Sequence, residues 1–136
     1  MTQEAFNPQH RLKKARSLVD STAAQLHEMV AEMASQLVPF PYFLGSTEVQ
    51  AIEAEPGGVQ NAERGCVVVC ADGEMYEFSM KMQAPGPGME FGMEREDSVK
   101  PVDLPPAEYI VYALNALKEM AGLIEDSAAR RKKYSF

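Results

Sequence analysis

One long helix at the N-terminus constrains the fold more than any other feature of the sequence. Asn7 followed by Pro8 is typical of a helix N-cap and first helical position. Apolar residues then recur at three- and four-residue steps until Pro39 interrupts the pattern. A helix over residues 8–38 is roughly 45 Å long at 1.5 Å per residue, which exceeds the width of a compact domain of this size. We therefore expect a second helix, a second subunit or a bend to cover the overhang.

The charges on this helix run against its dipole. Four basic residues crowd its first turns: Arg11, Lys13, Lys14 and Arg16. Glu28 and Glu32 lie near its C-terminal end. Because the N-terminal end of a helix dipole is positive, each group occupies the less favourable end. Local helix stability does not explain this arrangement.

A second basic group stands at the other end of the chain: Arg130, Arg131, Lys132 and Lys133. Residues 17–129 hold only five basic residues against nineteen acidic ones, and such an acidic body repels nucleic acid. We consider three roles for the two basic groups. They are solvated chain ends, they form one patch that binds an acidic partner or a phosphate backbone, or they neutralise the acidic body of a second subunit. They converge if the two terminal helices are antiparallel, and they are separated if the helices are parallel.

An apolar connector, PFPYFLG, follows the first helix and contains three of the eleven aromatic residues: Phe40, Tyr42 and Phe43. Solvent exposure of these rings would be unfavourable. They either close the core of a sheet or form an anchor for a partner protein.

Residues 47–83 have the pattern of antiparallel strands. Residues 48–55 alternate weakly, although a short helix competes there because Thr47 and Gln50 have the capping-box spacing. The clearer signal is GCVVVCA, then Asp72-Gly73, then EMYEFSMKM, which predicts a hairpin with a two-residue type I′ turn. In the resulting register Val69 faces Tyr76 and Val67 faces Phe78 on the core side of the sheet, while Cys70 faces Met75 on the other side.

The last third of the chain consists of a long connection and a second helix. Residues 84–104 are rich in Pro, Gly, Met and acidic residues and are expected to form a loop, with a short fourth strand around Met89 to Arg95 as the alternative. Residues 105–130 have a regular apolar stripe that predicts a helix, with residues 131–136 as a basic tail. The stripe consists of Ala107, Ile110, Leu114, Leu117, Ala121, Ile124 and Ala128. It packs on the sheet, on the first helix or in a dimer.

No pattern of catalytic or metal-binding residues is present. His27-Glu28 begins like a zinc-protease helix, but the second histidine is missing because position 31 is alanine. Cys66 and Cys70 are about 13 Å apart in a strand, too far for a mutual disulfide. We expect no metal, no cofactor and no enzymatic activity. No apolar run reaches the length of a membrane span and no secretory leader is evident, so we expect a cytoplasmic protein.

Methionine is unusually abundant, with nine residues, and methionine-rich surfaces adapt to varied apolar partners. The methionines of the hairpin and the loop either pack in the core, where Met80 would continue the face of Tyr76 and Phe78, or form a recognition surface. Together with the connector, these residues form the candidate protein-binding set: Phe40, Tyr42, Phe43, Met75, Met89, Phe91 and Met93.

These elements predict a single α+β domain over residues 1–136, with a long N-terminal helix, a small antiparallel sheet of three or four strands and a C-terminal helix packed on one sheet face. In element order and acidity the chain looks like the small acidic chaperones that serve secreted bacterial proteins, which pair a leading helix with a twisted sheet and dimerise. The likeness is one of architecture, and this chain ends in one helix where those proteins have a further strand pair.

The function that we expect is a non-catalytic cytoplasmic protein-binding module, adaptor or chaperone-like, that forms a homodimer. One alternative is a nucleic-acid-binding or ribosome-associated protein that uses the basic ends. Another is a small-molecule-binding or enzymatic domain with its site between loop 84–104 and the sheet.

Overall fold

Two helices of 28 residues flank a four-stranded antiparallel sheet along the chain. The computed structural model describes residues 7–57, 65–83 and 94–133. The elements are α1 (Pro8–Ser35), β1 (Ala51–Glu53), β2 (Cys66–Cys70), β3 (Met75–Gln83), β4 (Glu94–Pro101) and α2 (Pro106–Lys133). The strand order in the sheet is β1-β2-β3-β4, and α2 contacts β1 and β2. This confirms the predicted α+β fold with the C-terminal helix on one sheet face.

The N-terminus of α1 is capped as the sequence predicts. The Asn7 side chain accepts hydrogen bonds from the backbone N–H groups of Gln9 and His10, which have no partner inside the helix. The helix ends at Ser35, three residues before the expected end at residue 38. The residue before a proline is disfavoured in the helical conformation, so the chain leaves the helix before it reaches Pro39.

The two helices run parallel. Near the start of α2, the Tyr109 ring lies 6.2 Å from the His27 ring of α1. At the other end, Leu37 just after α1 and Ile124 of α2 line the same cleft. Residues 8–14 of α1 are all exposed, so its first two turns form an overhang that no described part of the chain covers.

The β2–β3 hairpin differs from the predicted register by one residue. Val69 pairs with Met75 and Val67 pairs with Glu77. The turn has three residues, 71–73, because the Cys70 N–H donates to the Glu74 carbonyl at 3.1 Å. A type I′ turn requires a positive φ at both central residues, and of the Asp72-Gly73 pair only the glycine has one, at 80°.

This shift moves several side chains to the opposite face of the sheet. Val67, Val69 and Met75 lie on the helix side, in a core with residues of α1 and α2. Tyr76 and Phe78, which were expected there, lie on the other side. The sheet therefore has an apolar core on both faces rather than on one.

The connector after α1 covers the second face. Phe40 is buried on the helix side, whereas Phe43 is buried on the other side against Phe78, with ring centroids 4.8 Å apart. Between these rings the chain follows the outer edge of β1, where the Ala51 N–H donates to the Pro41 carbonyl at 2.9 Å and Tyr42 bridges Gln50.

Three further differences from the sequence-based expectation concern β4, β1 and α2. The expected loop 84–104 contains β4 at residues 94–101, because the far half of β3 extends beyond β2 and pairs with this strand. The first strand begins at residue 51 rather than in the stretch 47–50, which follows an irregular path. Helix α2 continues to Lys133, through the first part of the expected tail.

We expect Gly73→Ala to destabilise the protein by about 3 kcal/mol or more. The added Cβ would lie 2.6 Å from the Ala31 Cα of α1, and an alanine at φ 80° is strained as well. Chemical denaturation measures the change.

Gly45→Ala is the matched control for this substitution. Gly45 has a similar φ of 70°, but no atom lies within 4 Å of the added Cβ. The expected loss is about 1 kcal/mol, from backbone strain alone. Equal losses in the two variants would contradict a close approach of α1 to the turn.

Candidate functional site

The histidine considered for catalysis joins three elements of the fold. His27 Nε2 lies 2.8 Å from Glu74 Oε1 beside the hairpin turn, and the His27 ring faces Tyr109 of α2. Among the described residues, no group of three or more His, Cys, Asp or Glu side chains is arranged to hold a metal ion. His27 contacts both the turn and α2 at the protein surface.

Both cysteines are poor nucleophiles. Burial, with the nearby negative charge of Glu53, raises the pKa of Cys66 to about 12. Burial, with the charge of Asp72, raises the pKa of Cys70 to about 11. Because the thiolate is the reactive form, neither side chain is activated at neutral pH.

A buried carboxylate attaches the connector to the sheet. Asp97 of β4 is buried and lies 2.9 Å from Arg95 Nε, while Arg95 donates a second hydrogen bond to the Leu44 carbonyl at 3.0 Å. The hydrogen bond from Arg95, together with one from Ser46, lowers the pKa of Asp97 below its usual value of 3.8. These contacts hold the far end of the connector against β3 and β4.

The structure moves most of the described candidate binding residues into the interior. Phe40, Phe43 and Met75 are all buried, so the expectation that they form an exposed binding surface is corrected. Phe40 and Met75 fill the helix-side core, and Phe43 fills the opposite one. Tyr42 is exposed. Three further candidates lie outside the described residues: Met89, Phe91 and Met93.

The two basic groups do not form one patch. The parallel helices place Arg131 beside Gln36, at the C-terminal end of α1. Arg16 lies twenty residues earlier on α1, near the start of α2, which corresponds to about 30 Å along the helix axis. Arg11, Lys13 and Lys14 lie still farther from Arg130 and Arg131 along α1. The structure does not describe the side chains of Lys132 and Lys133.

An exposed apolar surface lies on the sheet face opposite the helices. Met80 and Met82 of β3 are 53% and 51% exposed, and Leu44 of the connector is exposed as well. Met80 is directly opposite Asp97 and Met82 is directly opposite Arg95, which binds the Leu44 carbonyl. We call Leu44, Met80 and Met82 the methionine patch.

A second exposed apolar surface lies on the helices. Leu18 and Met29 of α1 are 68% and 49% exposed, and Leu114 of α2 is 54% exposed. Only part of the predicted apolar stripe of α2 is covered. Ile110 and Leu117 pack against the core, whereas Leu114 is exposed. Sequence periodicity placed Leu114 in this stripe and left open whether the stripe packs on the sheet, on α1 or in a dimer.

Neither helix of the described chain has an apolar stretch that could cross a membrane. Comparisons with protein-family models, with curated proteins and with solved structures gave no match for this chain.

Stability should decrease when Asp97 is protonated. The pKa of Asp97 is lowered in the folded state, so its stabilising contribution is present above pH 4 and is lost as the pH falls through the lowered value. Asp97→Asn should reduce stability at pH 7 and flatten this acidic decline in thermal unfolding. Asp126→Asn, on the exposed end of α2, is the control and should unfold like the unchanged protein; an equal acidic decline in the Asp97 variant would contradict the role.

Alkylation by iodoacetamide should be slow at pH 8 in the folded protein. The raised pKa values of Cys66 and Cys70 leave little thiolate, and both side chains are half-buried. In denaturant we expect the rate to rise at least tenfold, as followed by mass spectrometry. Rapid labelling of either cysteine in the folded protein would show an activated thiol instead.

Proposed function

We propose that this protein is a non-catalytic protein-binding module that acts as a cytoplasmic adaptor or chaperone-like protein and forms a homodimer. The observation that carries the proposal is the methionine patch. It offers three large, exposed apolar side chains on a sheet face that is otherwise packed beneath the connector. Exposed apolar patches of this kind are typical of interaction sites.

The patch combines adaptable side chains with a rigid support. Methionine has an unbranched, polarisable side chain that fits irregular apolar surfaces. Beneath Met80 and Met82, β3 is paired with β4 along its whole far half, and the Arg95–Asp97 pair fixes the connector beside them. The backbone is thus preorganised, and only the side chains need to adjust to a bound segment.

The chemistry of the patch favours an extended apolar protein segment flanked by basic residues. β4 is the last strand of the described sheet, so its outer backbone groups offer an edge to which an extended segment can add. The protein has a net charge of −7, which attracts basic flanking residues. Such a segment would lie beside β4, one strand farther out than Met80 and Met82 of β3. Its large apolar side chains would extend over β4 to reach the methionine patch.

The alternatives have less support. Nucleic-acid binding through the basic ends would have to use two separate basic groups, because the parallel helices hold these groups apart. A small-molecule site between loop 84–104 and the sheet would involve residues outside the description.

An array of synthetic peptides tests the proposal directly. We expect the protein to bind apolar peptides with basic flanks and to lose tenfold or more of this affinity in Met82→Asp, because a charge then replaces an apolar contact. Fluorescence anisotropy with the selected peptides measures the dissociation constants.

Met29→Asp is the matched control, since Met29 is exposed to the same degree as Met82 but lies on α1. It should bind the peptides like the unchanged protein, and circular dichroism should show that both variants are folded. The proposal is wrong if no peptide binds, or if both variants bind equally well. Salt-sensitive binding of single-stranded RNA in the absence of peptide binding would favour the nucleic-acid alternative.

A further inference from the structure

We infer that α1 pairs antiparallel with α1 of a second copy of this chain, through the helix face turned away from the sheet. This inference deepens the proposed function, on whose homodimer it rests, by assigning the interface. The methionine patch lies on the other side of the sheet and is not part of it.

A line of exposed residues marks the face of α1 that is involved. Lys14, Leu18, Gln25, Met29 and Glu32 follow one another at steps of four, seven, four and three residues, so they share one side of the helix. Another side of α1 is occupied, since Ala31 approaches Gly73 and His27 contacts Glu74. We call the line of five residues the outer face of α1.

The outer face is complementary to itself under a two-fold rotation. In an antiparallel helix pair, residues equally far from the centre along the chain meet across the axis. Leu18 and Met29 are equally far from a centre between residues 23 and 24, and Lys14 and Glu32 are equally far from residue 23. The two centres coincide within about 1 Å along the helix. Each pair therefore forms twice, Leu18 with Met29 and Lys14 with Glu32 of the other copy.

The same arrangement explains the charges of α1. Its first turn contains no acidic residue and its last turn no basic residue, so the helix does not compensate its own dipole. In the antiparallel pair, the basic first half of one helix lies along the half of the other that carries Glu28 and Glu32. The two dipoles are then also opposed, which is the favourable orientation.

In this dimer the overhang of α1 of one copy packs against the other copy. Leu114 of α2 lies at about the level of Met29 to Met33, because Tyr109 is beside His27 and Ile124 is beside Leu37. The first three turns of the second copy extend over this region, where Met29 and Leu114 are exposed. Apolar side chains on both helices are thereby removed from water.

Light scattering on a size-exclusion column, over a range of protein concentrations, gives the mass of each variant. We expect a dimer for the unchanged protein and a monomer, or a dimer weakened at least tenfold, for Met29→Asp and Leu18→Asp. Met82→Asp is the matched control and should remain a dimer. The substituted residues are 49% to 68% exposed, and circular dichroism should confirm that the variants are folded.

A mixing experiment tests the antiparallel register. Lys14→Glu alone and Glu32→Lys alone each place like charges opposite one another twice, so each homodimer should weaken roughly tenfold at low salt. A mixture of the two variants restores opposite charges at both positions. We therefore expect the heterodimer to form with nearly the unchanged affinity, and high salt to reduce the differences.

The outcomes separate this inference from the proposed function. A dimer that survives Met29→Asp and Leu18→Asp overturns the α1 interface but leaves the homodimer intact. Failure of the charge-reversed variants to recover on mixing overturns the antiparallel register. A monomeric unchanged protein overturns the homodimer and this inference together, whereas peptide binding at the methionine patch is measured independently.

Discussion

The fold depends on covering both faces of one strand. Val67, Val68 and Val69 of β2 are fully buried, and neighbouring side chains on a strand point to opposite faces. Each buried valine contributes about 1.5–3 kcal/mol, so neither face can be left in water. The helices cover Val67 and Val69, while Phe43 of the connector packs in the cluster around Val68. The connector must therefore pass around the edge of β1, and this path places Phe40 and Phe43 on opposite sides of the sheet.

Polar side-chain contacts connect the helices and the connector to the sheet between them. His27 with Glu74 holds α1 at the hairpin turn, and Arg95 with Asp97 holds the connector at β4. The conspicuous ionisable residues are thus used in the structure, and the raised pKa values of the cysteines leave no activated thiol. In the part of the chain that the structure describes, the methionine patch and the outer face of α1 are exposed apolar regions on opposite sides of the sheet. This separation is why we propose two independent roles, one for binding a partner segment and one for pairing with a second copy.

The sequence predicted the helix starts, the strand-rich centre and the α+β class because these depend on local signals. Asn7 and Pro8 define the N-cap of α1, and the alternation around the valines defines β2. The hairpin register was wrong by one residue because Asp72-Gly73 fits both a two-residue and a three-residue turn. This shift of one residue places Met75 on the helix side of the sheet and Phe78 on the opposite side, the reverse of the predicted arrangement. The candidate site was predicted less well, since apolar composition at the aromatic connector does not distinguish a core residue from a binding residue.

The sequence by itself determined where the helices begin and where the β2–β3 hairpin lies, and that the acidic body lies between two basic ends. Helix caps, prolines and apolar periodicity act over a few residues, so they can be recognised in the sequence without knowledge of the tertiary contacts. Only the tertiary structure decided that the helices are parallel, that Phe40 and Phe43 are buried, and that Leu18, Met29 and Leu114 remain exposed. These outcomes depend on packing between residues far apart in the chain, where the turn at Gly73 and the path of the connector select which side of each apolar stripe meets the core.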